Sequence, residues 1–184
     1  MKEIRFSQPA EVRAGDDGFT VEGYAAVFNS DADIGGHFIE RIERGAFADA
    51  IGRDDVVFLI NHEGLPLARS RSGTLELSED DHGLKIRTQL DADDPDVKSI
   101  VPKMKRGDLD KMSFAFRADE QKWDESGDIP IRTITRASLY DVSIVTTPAY
   151  DATEIGLRSL QDFQASKPNH SATRLRMKGK LAGI

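Results

Sequence analysis

Apolar and polar residues alternate one by one along several separate stretches of this chain. A period of two restricts such a chain to a fold built mainly from β-strands. The sharpest case is Leu109-Asp110-Lys111-Met112-Ser113-Phe114-Ala115-Phe116, entered from the turn triplet Arg106-Gly107-Asp108. Met112, Phe114 and Phe116 make one large apolar face, and Ser113, Ala115 and Arg117 make the other. Leu75 and Leu77 alternate with Glu76 and Ser78, and Leu84, Ile86, Thr88 and Leu90 alternate with Lys85, Arg87 and Gln89. The polar, Gly-ended segment Glu79–Gly83 joins these two runs, which predicts a hairpin with His82 in its turn. Ile131–Thr146 is a long β-rich segment, one strand or two broken near Arg136-Ala137-Ser138, and Pro148 stops it. Phe19–Phe28 reads as a strand whose Gly23 marks a bulge or a bend. Val56-Val57-Phe58-Leu59-Ile60 is apolar throughout, the pattern of a fully buried strand.

The connecting segments read as follows. Residues 1–6 form a short strand and residues 8–18 a polar connector. His37–Ile42 is a short edge strand. A short helix covers Gly45–Ile51 and ends at Gly52. Leu65–Ser70 is a loop or edge segment, because Pro66 cannot donate to a ladder. Asp94-Pro95-Asp96 opens a second helix with a cap and a proline at its first position, and Val97, Ile100, Val101 and Met104 then fall on one face. Pro102 predicts a kink or a stop near Ile100. Arg117–Asp128 is a strand end and a long hairpin loop. From Asp151 the chain is loop or tail, with Leu157 and Leu160 docking on the body. About seven strands, mostly antiparallel, with two or three short helices predict a mostly β (α+β) fold. The expected architecture is a closed or nearly closed antiparallel β-barrel.

The chain has 184 residues, enough for one domain with a buried core. It has no cysteine, which excludes a disulfide scaffold, a thiol nucleophile and thiolate-bound zinc. Its net charge is −7, but Phe163–Ile184 holds five basic residues and no acidic one, so the preceding residues carry −12 when that +5 is removed. An acidic body argues against nucleic acid as its ligand. No apolar stretch is long enough for a membrane span, and Met1–Phe6 lacks the apolar core of a signal peptide, so a cytoplasmic location is expected. HExxH, Walker and GxGxxG patterns are absent, and His37, His62 and His82 have no metal-ligand spacing, so neither a metal nor another cofactor is expected.

Two residues carry candidate chemistry. Ser113 stands on a strand with the small Ala115 beside it, which suits a nucleophile that needs a rigid support and an open approach. It equally suits an ordinary serine on the polar face of a strand. His62, in Asn61-His62-Glu63-Gly64 at the end of the Val56–Ile60 run, suits a general base held by a strand end, or a buried structural histidine.

Three motifs together, "LINHE" at 59–63, "KMSFAF" at 111–116 and "LYDVSIVTTPAYDAT" at 139–153, resemble the HK97-type prohead serine proteases of tailed bacteriophages. The resemblance covers roughly residues 20–157, with a Gly45-Ala46-Phe47 segment ahead of the histidine strand. It implies a fold similar to the herpesvirus assembly proteases, with a protease domain at 1–160 and a basic, flexible tail at 161–184. It makes Ser113 the nucleophile and His62 the base. Ala115 stands where many members have glycine. The herpesvirus relatives use a second histidine as third member, but the only histidine after Ser113 is His170, so Asp141 is the better candidate, with Ser143 a weaker alternative and Asp91 and Asp93 next. The loop Thr146–Tyr150 would supply oxyanion donors, from Thr147 or Ala149. The implied substrates are the major capsid protein, the scaffold and the enzyme itself, cleaved inside the prohead in the host cytoplasm, with self-association as a further expectation and no nucleic acid or membrane partner. The competing reading is an inactive scaffold or assembly protein of the same fold.

Overall fold

The computed structural model describes residues 1–6, 13–14, 20–146 and 152–166. Its strands are β1 (Glu3–Phe6), β2 (Arg13–Ala14), β3 (Thr20–Val27), β4 (Ala32–Asp33), β5 (Ile39–Ile42), β6 (Val57–Ile60), β7 (Glu63–Arg69), β8 (Leu75–Glu79), β9 (Gly83–Gln89), β10 (Lys111–Asp124) and β11 (Ile131–Val145). Its helices are α1 (Ala48–Arg53), α2 (Pro95–Lys105) and α3 (Ala152–Ser166).

The strands form two open sheets, so the expected closed or nearly closed barrel is wrong. One sheet has seven strands in the order β1-β10-β11-β5-β4, with β6 also on β11 and β7 on β6. The other has four, in the order β2-β3-β9-β8. The pairing is mostly antiparallel, as expected, but β11 pairs in parallel with β5 along Ile131–Ile134 and with β6 along Asp141–Ile144. β5 and β6 follow one another along β11, with α1 in the chain between them. A period of two identifies a strand but says nothing about its partner or direction, which is why the barrel inference failed.

The core lies between the sheets. Phe47, before α1, packs edge-on against Phe114 of β10 at 5.7 Å between centroids and lies near Phe28 at 6.3 Å. Val21, Leu84 and Ile86 on one sheet and Phe58, Phe116, Val142 and Ile144 on the other complete it. Each such side chain contributes about 1.5–3 kcal/mol on burial.

Several local expectations need revision. β10 and β11 are single long strands, so Arg117–Asp124 belongs to β10, and no break occurs near Arg136–Ser138. One-residue bulges, at Asp119 of β10 and Thr135 of β11, absorb the change of phase there instead. β5 is an interior strand rather than an edge, and β7 keeps Pro66 because among the described residues it pairs with β6 alone. α1 begins later and runs through Gly52. α2 runs through Pro102, because burial of Val97, Ile100, Val101 and Met104 outweighs the ~3 kcal/mol cost of an interior proline. Its end is a Schellman turn: Asp108 N–H donates to Lys103 C=O at 2.9 Å, Gly107 N–H to Met104 C=O at 3.0 Å, and Gly107 takes φ +80°. That turn delivers the chain into β10. α3 spans residues read as loop or tail from the sequence.

β1 is fixed by charge. Arg5, Glu3, Glu40 and Arg132, from β1, β5 and β11, form a buried network. Arg132 bonds Glu3 at 2.7 and 2.8 Å and Glu40 at 2.8 Å, and Arg5 bonds Glu40 at 2.6 Å and Glu3 at 2.9 Å. Burial alone would raise the Glu3 carboxyl, but Arg132 and Arg5 outweigh it and hold the group below the usual carboxylate range.

Candidate active site

β10 lies between β1 and β11. Across the β10–β11 ladder Ser113 pairs with Ser143 and Ala115 with Asp141. Residues directly opposite in a ladder share a face, so Ser113, Asp141 and Ser143 project together, away from the core residues Phe114 and Val142. The bulge at Tyr140 makes this possible. Phe116 pairs with Leu139 and Ala115 with Asp141, leaving Tyr140 as the extra residue. Leu139 and Asp141 would share a face in a regular strand. With Tyr140 looped out, Leu139 enters the core and Asp141 faces Ser113's side.

β6 runs parallel to β11 in register from Val57–Asp141 to Ile60–Ile144. It ends in the two-residue turn Asn61-His62 that leads into β7, so His62 belongs to the turn itself and not to the strand's end. Both turn residues have positive φ, 51° and 62°, as a type I′ hairpin turn requires. Asn and His are among the non-glycine residues that most often accept this region. Asn61 N–H donates to Ile144 C=O at 3.0 Å, and Asn61 Oδ1 accepts from Thr146 N–H at 3.0 Å, so the turn is tied to the end of β11.

The ring of His62 is thereby placed between the other two residues. Its Nε2 is 2.7 Å from Ser113 Oγ, and its Nδ1 is hydrogen-bonded to Asp141 Oδ1. Ser143 Oγ accepts from His62 N–H at 3.2 Å and donates to Asp141 Oδ1 at 3.1 Å. Ser143 is therefore a brace between His62 and Asp141 and makes no bond to Ser113. Burial pushes the Asp141 carboxyl up, but hydrogen bonds from His62 and Lys2, with their charges, prevail and hold it below the usual carboxylate range. An ionised Asp141 can only accept, so Nδ1 carries a proton, and in neutral His62 the lone pair is on Nε2, facing Ser113.

This order of contacts, hydroxyl to imidazole to carboxylate, sits on a chain whose residues 8–167 match the sequence model of the Caudovirus prohead serine protease family. The chain belongs to that family. A prohead protease of Enterobacteria phage HK97 is 30% identical over 159 residues, which is 78% of this chain and 64% of that relative. The chain thus spans somewhat less than two thirds of the relative's length. No solved structure matches it.

The other prohead-protease expectations fall as follows. Asp91 accepts from Asp93 N–H at 2.8 Å and Asp93 pairs with Lys98 at 3.7 Å, so neither bonds to His62. Thr147, Ala149 and His170 lie outside the described residues. His82 packs edge-on against Tyr24, and His37 precedes β5, both away from the Ser113–His62 pair. Among the described residues no three of His, Asp and Glu converge as a metal site, and no helix is long and apolar enough to cross a membrane. The open approach expected beside Ser113 is absent. Ser113 is 1% exposed, because β10 is an interior strand and both the His62 ring and the Arg5 carbonyl bond its hydroxyl, the latter at 2.8 Å.

Two contacts were not foreseen from sequence, and both come from the N-terminal segment. Lys2 Nζ lies 2.9 Å from Asp141 Oδ2, and Arg5 C=O lies 2.8 Å from Ser113 Oγ, where it competes with His62 Nε2 for the one hydroxyl proton. Nothing local in Met1–Phe6 signals them. They follow from the pairing of β1 with β10, which sets Phe6 opposite Ser113. Further along the same face, a cleft of about 520 Å³ is lined by Arg53, Asp54, Arg117, Ser138 and Tyr140. Arg117 pairs with Ser138 one same-face position beyond Ala115–Asp141.

Proposed function

We propose that this chain is an active serine endopeptidase with Ser113 as nucleophile, His62 as general base and Asp141 as the residue that orients the base. The observation that carries the reading is the pair of contacts on one imidazole, Nε2 with Ser113 and Nδ1 with Asp141. His62 Nε2 takes the hydroxyl proton as Oγ attacks the scissile carbonyl carbon. The imidazolium then formed is stabilised by Asp141 and returns its proton to the leaving amine. Water attacks the acyl-enzyme in the second half, with His62 again the base. Ser113 Oγ must meet the carbonyl carbon at roughly 3–3.5 Å, so substrate binding has to displace what covers it.

The substrates are the scaffold-like segment of the capsid protein, the scaffold, and this chain itself, cleaved inside the prohead in the bacterial cytoplasm. Family membership and the likeness to a phage prohead protease support this assignment. The protease domain is assigned to residues 1–160 and the tail to 161–184, with the helix α3 crossing that boundary. The inactive-scaffold reading has less support, since a non-catalytic protein has no need for a base aimed at a serine hydroxyl.

Co-expression with the capsid protein tests the proposal. The parent chain shortens the capsid protein, and Ser113→Ala leaves it full length. Cleavage by Ser113→Ala at the parental rate overturns the assignment.

A further inference from the structure

The proposed triad does not complete the contacts around Asp141. Its Oδ1 is used by His62 and Ser143, and its Oδ2 is held by Lys2 Nζ at 2.9 Å. Lys2 reaches across 139 positions of sequence to make that bond. Its side chain is 48% exposed, whereas that of Asp141 is buried, so the ammonium approaches from solvent and closes over the carboxylate. The ammonium also lies 5.8 Å from the centre of the Tyr140 ring, the bulged residue that turns Asp141 outward. The segment carrying Lys2 is anchored independently of it. β1 is in register with β10 from Glu3 to Phe6, and the Glu3–Arg5–Glu40–Arg132 network ties it to β5 and β11.

We propose that Lys2 is a positioning residue of the peptidase reaction, locking the Asp141 carboxylate toward His62 and moderating the charge that His62 feels. The proposal rests on the triad reading above. Its physics is simple. One carboxylate faces two cations when His62 is protonated, and Lys2 carries one of them permanently. The Lys2 charge therefore opposes the imidazolium that forms when His62 takes the Ser113 proton. It also holds the carboxylate plane, leaving Oδ1 directed at Nδ1. The charged groups in contact at this point are Asp141 from β11 and Lys2 from the segment before β1, with the His62 ring between β6 and β7.

The test is the pH dependence of kcat/KM for a peptide substrate at low ionic strength, for the parent chain, Lys2→Met, Lys2→Arg and Ser113→Ala. Lys2→Met moves the acid limb to higher pH by roughly half a unit or more, with KM within about twofold of the parent. Lys2→Arg restores the parental limb, because a guanidinium can hold the same oxygen. The thermal unfolding midpoint of Lys2→Met falls only slightly, because Asp141 loses one bond and keeps those to His62 and Ser143. A Lys2→Met profile superimposed on the parent's, with Ser113→Ala inactive, overturns the role of Lys2 and leaves the triad standing. Activity in Ser113→Ala overturns the triad reading itself. A loss in Lys2→Met that is uniform across pH, with the acid limb unshifted, marks a merely structural contact and also overturns the proposal.

Discussion

Asp141 stands opposite Ala115 in the β10–β11 ladder because Tyr140 is looped out of β11. Without that extra residue the carboxylate would share a face with Leu139 and enter the apolar core, where an unpaired charge is costly. The bulge thus turns an acid in an apolar strand toward His62. Asp141→Asn should keep the fold, since the amide has nearly the same shape. It should lower kcat by something on the order of 10⁴, the size of the analogous change in the serine-protease triad, and leave KM nearly unchanged. Ser143→Ala removes only a brace and should cost far less, about tenfold or under. Steady-state kinetics on one peptide decide this. Near-parental activity in Asp141→Asn with Ser143→Ala inactive would reverse the two roles.

The positive φ of His62 separates its chemistry from its backbone duty. His62→Asn should fold as stably as the parent, because asparagine accepts that conformation, yet be inactive. His62→Ala should be inactive and also less stable, by about 1–2 kcal/mol, since alanine resists it. Urea unfolding read beside activity checks both. Equal stability of the two variants contradicts the strain argument.

The buried network of Arg132, Glu3, Glu40 and Arg5 is expected to be sensitive to single changes. Arg132→Met leaves Glu3 and Glu40 buried with Arg5 alone, and breaking such a network costs about 3–5 kcal/mol. The urea midpoint should fall sharply. A shift near zero would mean that water replaces the guanidinium.

Stability should decline at acid pH for a reason whose sign can be stated. Glu3, Asp54, Asp119 and Asp141 are all held below the ordinary carboxylate range in the fold, against the pull of burial, by neighbouring arginines, Lys2, His62 or hydrogen-bond donors. A carboxylate lowered in the folded state adds stability above its unfolded value of about 4, and that stability is lost as pH falls through the folded value. Unfolding midpoints should hold from pH 7 to about 5 and then drop. A midpoint that rises below pH 4 contradicts this.

Much of the site was legible, and the limits were physical. The alternation in Met112–Phe116 put Ser113 on the face away from the phenylalanines, and the Val56–Ile60 run marked a strand, although Val57 and Ile60 are only half-buried and His62 lies in the turn beyond it. The phase slip between Leu139 and Val142 was present in the sequence, but only the β10 register turns it into a bulge at Tyr140. The parallel pairing of β6 with β11 and the contribution of Lys2 and Arg5 depend on long-range partners, which a local period does not encode. Glu3 and Arg5 alternate with Ile4 and Phe6 like a solvated edge strand, yet their charges are buried and satisfied by residues 35 and 129 positions away.

The boundary of the catalytic body can be refined. Phe163 of α3 stacks on Trp123 of β10 at 5.0 Å between centroids, so α3 shares packing with the central sheet. Deletion of 167–184 should leave peptide hydrolysis intact, whereas deletion from 161 onward should lower the unfolding midpoint. Loss of peptide hydrolysis on removing 167–184 alone would place part of the catalytic machinery in the basic segment.

The central claim is that His62 activates Ser113. Labelling with a fluorophosphonate, which reacts with an activated serine hydroxyl, tests it most directly when the modified residue is located by mass spectrometry. The parent chain should be labelled on Ser113 alone, and Ser113→Ala and His62→Asn should not be labelled. Label on a different serine, or undiminished labelling of Ser113 in His62→Asn, would contradict the account.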